Sequence, residues 1–267
     1  MLDVQWVIVF LTLGSLVGFI AGLLGVGGGG ILVPVLSFIF IQMQFDPSEV
    51  MHLALGTSMT SIVITSLSSA LAHHKSQAVD WEIVKVMSLG TLLGTFSATY
   101  LATMLNAVAL AIFFSLFMAW TALKMLGFIA TKVSLKELSK ANMLASSTGI
   151  GAISALVAIG GGSLTVPYLM SKNINIKVAI GTSAAIGFPI AVAGSLGYIL
   201  NGLSAQSATN FQLGYVYIPA VVLIALASFI TAPIGARLAQ YLPIKTLKKL
   251  FALLLIALSI NILLILI

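Results

Sequence analysis

Two glycine-rich stretches have the composition of a backbone anion site. They read "GVGGGGILVP" at residues 25–34 and "AIGGGSLTVP" at residues 158–167. Glycine costs about 1 kcal/mol relative to alanine inside a helix, so consecutive glycines predict a break followed by a short helix. The first N–H groups of a helix are unpaired and lie at the positive end of its dipole, which favours an anion. The candidate ligand-binding residues are Gly27, Gly28, Gly29, Gly30, Gly160, Gly161, Gly162 and Ser163.

A hydroxyl-bearing triplet follows each glycine-rich stretch. The sequence "GTS" occurs at residues 56–58 and again at residues 181–183. These hydroxyls could bind the same ligand, or they could hydrogen-bond their own helix, as hydroxyls in membrane helices often do. Both interpretations stay open for Thr57, Ser58, Thr182 and Ser183. Spacing by four residues, which is typical of close helix packing instead, is found for Gly14, Gly18 and Gly22.

The composition places these residues in a membrane. The chain has 267 residues, of which 60% are hydrophobic and 7% are charged, and its mean hydropathy is +1.18. Soluble domains carry about 25% charged residues, so the sequence predicts an all-α polytopic protein whose partner is the lipid bilayer. There is no cysteine, which excludes disulfides and thiolate metal sites. We expect no cofactor, no metal site and no nucleic-acid partner, despite a net charge of +6.

Apolar segments define the helices that position the glycines. A first hairpin is predicted at about 5–41, followed by spans at about 53–72, 83–105 and 107–128. A second hairpin is predicted at about 143–170, followed by spans at about 178–200, 215–240 and 247–267. A span needs about 20 residues, and the segments after the two breaks, Ile31–Ile41 and Leu164–Met170, are shorter. Each hairpin is therefore re-entrant or short, and its break lies near the centre of the membrane.

The two halves of the chain are related. Residues 18–34 and 151–167, "GFIAGLLGVGGGGILVP" and "GAISALVAIGGGSLTVP", are identical at 8 of 17 positions. The sequence predicts a first repeat at 1–130, a linker at 131–142 and a second repeat at 143–267, packed as one integrated bundle. Internal repeats are typical of secondary transporters, although a duplication without a mechanistic role would leave the same pattern.

The basic residues predict how the chain crosses the membrane. If each hairpin returns to its starting side, all 12 Lys and Arg residues lie on one face, which the positive-inside rule makes cytoplasmic. The linker at 131–142 is then cytoplasmic and both termini are extracytoplasmic, in the cell inner (plasma) membrane. Each repeat has one hairpin and three spans, an odd number of crossings, so the two repeats have inverted topology.

The absence of charged residues from the centres of the spans reduces the range of possible transport mechanisms. No carboxylate, lysine or arginine is expected at the centre of a span, which removes the usual proton relay. A site made of backbone dipoles and hydroxyls suits a small, weakly basic anion that needs no partner charge. Inverted repeats favour a carrier that exposes this anion to each side in turn. Arg237, in "PIGARLAQYLP", either reaches the cytoplasmic surface or contacts the substrate at the inner mouth.

Two other classes of protein are alternatives to a carrier. An anion channel needs the same backbone site without two gates. An intramembrane enzyme could use Ser195 of "GSLG" as a nucleophile, but it needs a histidine within hydrogen-bond reach. We expect His73 and His74 to be solvated at the cytoplasmic end of a helix. The sequence therefore favours a transporter and not an enzyme.

The motifs taken together resemble one family. "GLLGVGGGGILVP", "ALVAIGGGSLTVP", the following "LGTS" and "IGTS", and the late "PIGARLAQYLP" are similar to the TauE/SafE sulfite exporter family over essentially the whole chain. The resemblance implies two related halves and transport of sulfur-containing anions such as sulfite, sulfoacetate or other organosulfonates. The family's motif positions would be Gly25, Gly27, Gly28, Gly29, Pro34, Gly160, Gly161, Gly162 and Pro167.

The second copy of the motif departs from the first. Ala158 stands where the first copy has Gly25, and Ser163 stands where it has Gly30. We therefore expect an asymmetric site in which the Ser163 hydroxyl donates a hydrogen bond to the ligand. The resemblance leaves open the substrate within its class, the direction of transport, the coupling ion and a homodimer. An anion channel, or a permease for an unrelated small anion, is the alternative.

Overall fold

The computed structural model describes residues 3–25, 27–126, 139–203, 211–239, 241, 252–253, 255–262 and 264. Its helices are α1 (Val4–Leu24), α2 (Gly29–Gln42), α3 (Pro47–Lys75), α4 (Trp81–Met104), α5 (Ala107–Leu126), α6 (Lys140–Val157), α7 (Gly162–Ser171), α8 (Ile176–Gly202) and α9 (Ile218–Leu238). Two-residue strands, β1 (Gln212–Leu213) and β2 (Val216–Tyr217), pair antiparallel just before α9. Residues 252–253 and 255–262 are also helical. Much of the predicted span at 247–267 and of the linker at 131–142 lies outside the described residues.

The described helices confirm an all-α polytopic membrane protein. Five of them, α1, α3, α5, α8 and α9, are long and apolar enough to cross a membrane. α4 has 24 residues, about 36 Å at 1.5 Å per residue, and matches the span predicted at 83–105. Large apolar side chains are exposed on the outside of the bundle, among them Leu116, Phe229 and Ile230, as contact with lipid requires.

The two short helices begin earlier than the sequence predicted. α2 has 14 residues and α7 has 10. They are therefore about 21 Å and 15 Å long, both short of the ~30 Å hydrocarbon core. Each helix begins directly after a left-handed glycine, Gly28 or Gly161. The start of the helix is therefore set by the backbone conformation of that glycine, and the glycines that follow it are helical. The first turns, and not the breaks, contain the predicted site residues Gly29, Gly30, Gly162 and Ser163.

Helix packing follows the pattern expected of a two-fold repeat. α1 packs along α9, α4 packs along α6, and α3 packs against α8. If α1 to α5 correspond in order to α6 to α9 and the helical residues 252–262, the α1–α9 contact is equivalent to the α4–α6 contact. The α3–α9 and α4–α8 contacts are equivalent in the same way. The opposite orientation of the two halves stays a prediction.

Glycines allow the paired helices to touch. A Cβ on Gly14 would lie 2.6 Å from the Ile224 carbonyl oxygen, and one on Gly18 would lie 2.5 Å from the Ser228 Cα. Gly22 also contacts the backbone of α9. These contacts confirm that the three glycines spaced by four residues are packing positions.

Gly151→Ala is expected to destabilise the packing of α6 on α4, whereas Gly149→Ala is not. A Cβ on Gly151 would lie 2.5 Å from the Thr91 carbonyl oxygen, but one on Gly149 meets nothing within 4 Å. Overpacking costs about 1–3 kcal/mol, while alanine gains up to about 1 kcal/mol over glycine within a helix. Thermal unfolding of the two purified variants in detergent measures the difference. Equal stability of the two would contradict the close α4–α6 contact.

Candidate functional site

Both helix breaks are bounded by residues in the left-handed conformation. α1 ends at a left-handed residue, Gly25 with φ 66°, and α2 begins after another, Gly28 with φ 82°. In the second repeat, α6 ends at left-handed Ala158 with φ 46°, and α7 begins after Gly161 with φ 77°. A Cβ is disfavoured in this conformation by about 1–2 kcal/mol, so the backbone favours glycine at positions 28 and 161.

The two breaks touch each other in the interior of the bundle. A Cβ on Gly27 would lie 2.8 Å from the Gly160 Cα, and one on Gly160 would lie 3.1 Å from the Gly27 Cα. The cavity beside them has about 10 Å³ of water-accessible volume, which is room for about one water molecule. The structure thus brings these two predicted site residues together as a backbone contact. Ligand binding between them stays a prediction, and it requires the breaks to separate.

Other predicted glycines also have packing neighbours. The space beside Gly28 is filled by the Val17 side chain, and Gly29 contacts the Ala158 carbonyl oxygen. A Cβ on Gly161 would lie 2.6 Å from the Ile190 Cδ1. Gly29 is therefore needed for close packing against backbone, whereas Gly28 and Gly161 pack against side chains, whether or not a ligand also approaches them.

A larger cavity, here called the α7 cavity, runs along one face of α7 from Gly162 to Met170. Its volume is about 140 Å³, and its lining combines polar and apolar side chains from α1, α5, α7 and α8: Leu24, Thr121, Lys124, Met125, Gly162, Ser163, Val166, Pro167, Met170 and Ile180. Two hydroxyl oxygens on this lining are buried without a hydrogen-bond partner among the described residues, those of Thr121 and Ser163. The Lys124 Nζ lies 4.8 Å from the centre of the Trp120 ring. Two predicted site residues, Gly162 and Ser163, therefore line a real cavity.

Thr121 and Lys124 are functional candidates that the sequence did not reveal. In the sequence, Lys124 contributes only to the distribution of the basic residues, and nothing distinguishes Thr121 from other hydroxyls in apolar helices. Their spacing of three residues places them on one face of α5, but spacing does not show what that face contacts. A lysine therefore lines the α7 cavity, and the expectation of a ligand site without a partner charge stays a prediction.

The two threonines of the repeated triplets bind the backbone at equivalent places. The Tyr217 N–H donates to the Thr57 Oγ1 at 3.0 Å, and the Asp80 N–H donates to the Thr182 Oγ1 at 2.9 Å. Tyr217 is the N-cap of α9 and Asp80 is the N-cap of α4. Each threonine therefore holds the start of a long helix.

The two serines of the triplets differ from each other. The Ser183 hydroxyl donates to the Gly25 carbonyl oxygen at 3.3 Å, which connects α8 to the first break. The Ser58 hydroxyl is buried without a partner among the described residues. A ligand role for the four triplet hydroxyls stays a prediction.

Thr57→Val and Thr182→Val are each expected to destabilise the protein by about 1–3 kcal/mol, because a buried backbone N–H loses its acceptor. Ligand selectivity should not change. Thr103→Val is the control, since the Thr103 hydroxyl bonds only the Tyr100 carbonyl of its own helix. Detergent unfolding measures stability, and ligand-induced thermal shifts measure selectivity. Altered selectivity at unchanged stability would assign the two threonines to the ligand instead.

Arg237 lies apart from both breaks. It is exposed and lines a groove of about 260 Å³ between α3 and α9, together with Ser68, Leu71, Ala72, Lys75, Ser76, Phe229 and Pro233. None of the described residues on this groove belongs to a glycine-rich stretch. A substrate contact at the inner mouth stays a prediction for this residue.

His73 is buried and not solvated, contrary to the expectation from its position. Its side chain is 1% exposed, and its Nε2 lies 3.0 Å from the Gly22 carbonyl oxygen. Gly22 is in the last turn of α1, where carbonyls lack an intrahelical donor, so the ring supplies the missing hydrogen bond. His74 is exposed, and its Nδ1 accepts from the Trp81 Nε1 at 3.1 Å.

Ser195 is not in the environment of a nucleophile. Its hydroxyl is 2.8 Å from that of Thr60. The ring of His52 bonds the carbonyls of Ala102 and Leu105. The described contacts therefore contain no Ser–His pair at this serine.

A polytopic helical bundle with two interrupted, contacting helices is the architecture of a membrane transporter. The comparison with protein families agrees, since residues 10–262 match the family described as "Sulfite exporter TauE/SafE". The chain belongs to the TauE/SafE family. Its members are membrane transporters and not enzymes.

Similar proteins carry matching descriptions. A "Probable membrane transporter protein" of Haemophilus influenzae is 36% identical over 257 residues, covering 96% of this chain and 97% of its own. "Probable membrane transporter protein YunE" of Bacillus subtilis is 26% identical, covering 73% and 79%. A third, "Probable membrane transporter protein MJ0441" of Methanocaldococcus jannaschii, is 25% identical, covering 89% and 88%. No solved structure gives a significant match.

Proposed function

We propose that this protein carries a small sulfur-containing anion, such as sulfite, sulfoacetate or another organosulfonate, across the cell inner (plasma) membrane. The observation that supports carriage is the direct contact between the two breaks at Gly27 and Gly160. Irregular backbone within a membrane is tolerated where it is packed in protein or lines a cavity. The two breaks meet the first condition while they touch and the second when they separate, so their contact can act as a gate. The class of anion is taken from the family description, which names sulfite.

Alternating access is the mechanism that this geometry favours. α2 and α7 begin directly after the breaks, so their positive N-terminal ends face the contact. When the inverted repeats rock apart, the anion enters between these ends, and closure on one side precedes release on the other. A membrane potential of 100 mV, negative inside, drives a monoanion outward by about 2.3 kcal/mol. This favours export.

Counterflow in proteoliposomes tests the function. Vesicles loaded with unlabelled sulfoacetate or sulfite and diluted into the labelled anion should transiently accumulate label, because a carrier exchanges its substrate. Flux without this accumulation indicates an anion channel. Uptake no faster than in protein-free vesicles, for sulfite and for every sulfonate tested, would contradict the proposal.

Single cysteines test the proposed orientation. The chain has no cysteine of its own, so Gln42→Cys and Lys140→Cys introduce unique thiols at exposed positions on opposite proposed faces. A membrane-impermeant maleimide added to intact cells should label the Gln42→Cys variant, and the Lys140→Cys variant only after permeabilisation. The reverse pattern would invert the topology.

A further inference from the structure

The α7 cavity contains unpaired polar groups that packing alone does not require. The Thr121 side chain is 3% exposed, and its hydroxyl has no partner among the described residues, nor has the hydroxyl of Ser163. Both side chains line the same cavity. Leaving a buried polar group unpaired is destabilising, so two of them on one cavity indicate a polar guest.

The charges around the cavity determine the sign of that guest. Lys124 lines the cavity, and the described lining includes no carboxylate. The N–H groups of Gly162 and Ser163 lie in the first turn of α7, at the positive end of the helix dipole. A cation would be repelled by both features. An oxyanion would accept hydrogen bonds from the two hydroxyls and from the ammonium group.

The size of the cavity suggests an organic anion. Its volume of about 140 Å³ is close to that of an engineered protein cavity of roughly 150 Å³ that binds benzene, a molecule of about six non-hydrogen atoms. Ethanesulfonate has the same number of non-hydrogen atoms, whereas sulfite has fewer. Apolar side chains complete the wall, among them Leu24, Val166, Met170 and Ile180. Moving a short alkyl tail from bulk water onto such an apolar wall is favourable.

At the equivalent position in the first repeat, the described residues are packed against each other. Gly30 corresponds to Ser163, and a Cβ there would lie 3.0 Å from the Leu255 Cδ2 and 3.4 Å from the Met118 Sδ. Met118 and Thr121 are three residues apart on α5, so adjacent positions on one helix face contact the start of α2 and the α7 cavity. The first contact is apolar, whereas the α7 cavity also has the hydroxyls of Thr121 and Ser163 and the Lys124 side chain on its lining. Among the described residues, the polar groups suited to an anion therefore lie beside α7, the short helix of the second repeat.

We propose, building on the transport function above, that the α7 cavity is the substrate subsite and that it selects an organic sulfonate with a short apolar tail over inorganic sulfite. The sulfonate oxygens accept hydrogen bonds from the hydroxyls of Thr121 and Ser163 and from the Lys124 ammonium. The tail packs on the apolar wall. The contact between Gly27 and Gly160 is then a gate beside the subsite, and its opening lets the anion pass between the N-terminal ends of α2 and α7.

Binding of ethanesulfonate to the purified full-length protein, followed by thermal stabilisation, tests the subsite. Thr121→Val, Ser163→Ala and Lys124→Gln should each raise its Kd about tenfold, because each removes a hydrogen bond to a charged ligand. Ser154→Ala is the matched control. It removes another buried hydroxyl without a described partner, from a residue that does not line the α7 cavity, and should leave the Kd unchanged. A sulfonate has three acceptor oxygens for the three proposed donors and a carboxylate has two, while sulfite lacks the apolar tail. The wild-type protein should therefore bind ethanesulfonate at least tenfold more tightly than propionate or sulfite.

The outcomes separate the subsite from the transport function. If ethanesulfonate exchanges in counterflow and its Kd is unchanged in all three variants, the subsite is wrong and the transport function stands. If sulfite or propionate binds as tightly as ethanesulfonate, the proposed selectivity is wrong. If the wild-type protein neither binds nor exchanges sulfite or any sulfonate, the transport function fails and the subsite fails with it.

Discussion

Gly27→Ala is expected to lower the free energy of unfolding by about 3 kcal/mol and to abolish counterflow. The new Cβ would lie 2.8 Å from the Gly160 Cα and 2.9 Å from the Gly160 nitrogen. Backbone atoms cannot rotate away as a flexible side chain can, so the two repeats must move apart, at a cost of about 1–3 kcal/mol. Gly27 also has a φ of 75°, where a Cβ adds about 1–2 kcal/mol.

Gly160→Ala tests the same contact from the other side with a smaller clash. Its Cβ would lie 3.1 Å from the Gly27 Cα and 3.3 Å from the Ile62 Cγ2, and its backbone is not left-handed. We expect a loss of about 1 kcal/mol and reduced but measurable counterflow. Gly149→Ala, whose Cβ meets no neighbour, is the control. Wild-type stability of the Gly27→Ala variant in detergent unfolding would show that the breaks do not touch in the resting protein.

The two breaks were predictable because their cause is local. A run of glycines cannot continue a helix without cost, and the following apolar segment is too short to span the membrane. The breaks, the short helices and the order of the helices in each half therefore follow from composition and spacing. The first residue of each short helix did not follow, because it depends on the left-handed backbone of Gly28 and Gly161, which neighbouring structure selects.

The identity of the cavity residues was not predictable, because it depends on contacts between distant helices. Thr121 and Lys124 are more than thirty residues from Ser163 in the chain, and a helix face does not indicate its neighbour. The burial of His73 was missed for the same reason. Its partner is the Gly22 carbonyl of another helix, and hydropathy alone places a histidine near the end of a helix in water.

The asymmetry between the repeats was visible in the sequence as two substitutions, and the structure gives each a physical setting. At one, Ser163 lines the α7 cavity while Gly30 faces Leu255 and Met118. At the other, Ala158 and Gly25 both end a helix in the left-handed conformation. The structure leaves space for a Cβ at Ala158 but not at Gly25, and substitutions at these two residues test that difference.

Gly25→Ala is expected to destabilise the protein by about 2–4 kcal/mol. The new Cβ would lie 2.6 Å from the Ile180 carbonyl oxygen and 3.0 Å from the Ile180 Cγ2, an overpacking cost of about 1–3 kcal/mol. The left-handed φ of 66° adds about 1 kcal/mol. The variant also disturbs the hydrogen bond from Ser183 to the Gly25 carbonyl, so the contact between α8 and the first break should weaken with it.

Ala158→Gly, the reverse change at the equivalent position, is expected to alter stability by less than about 1 kcal/mol. Glycine relieves the left-handed strain of about 1 kcal/mol. It also removes a buried methyl group worth about 0.8 kcal/mol and increases the freedom of the unfolded chain, so the terms nearly cancel. Unfolding of both variants under the same detergent conditions measures the asymmetry. If Ala158→Gly proves as damaging as Gly25→Ala, the Ala158 methyl group has a packing role at the second break that outweighs its backbone strain.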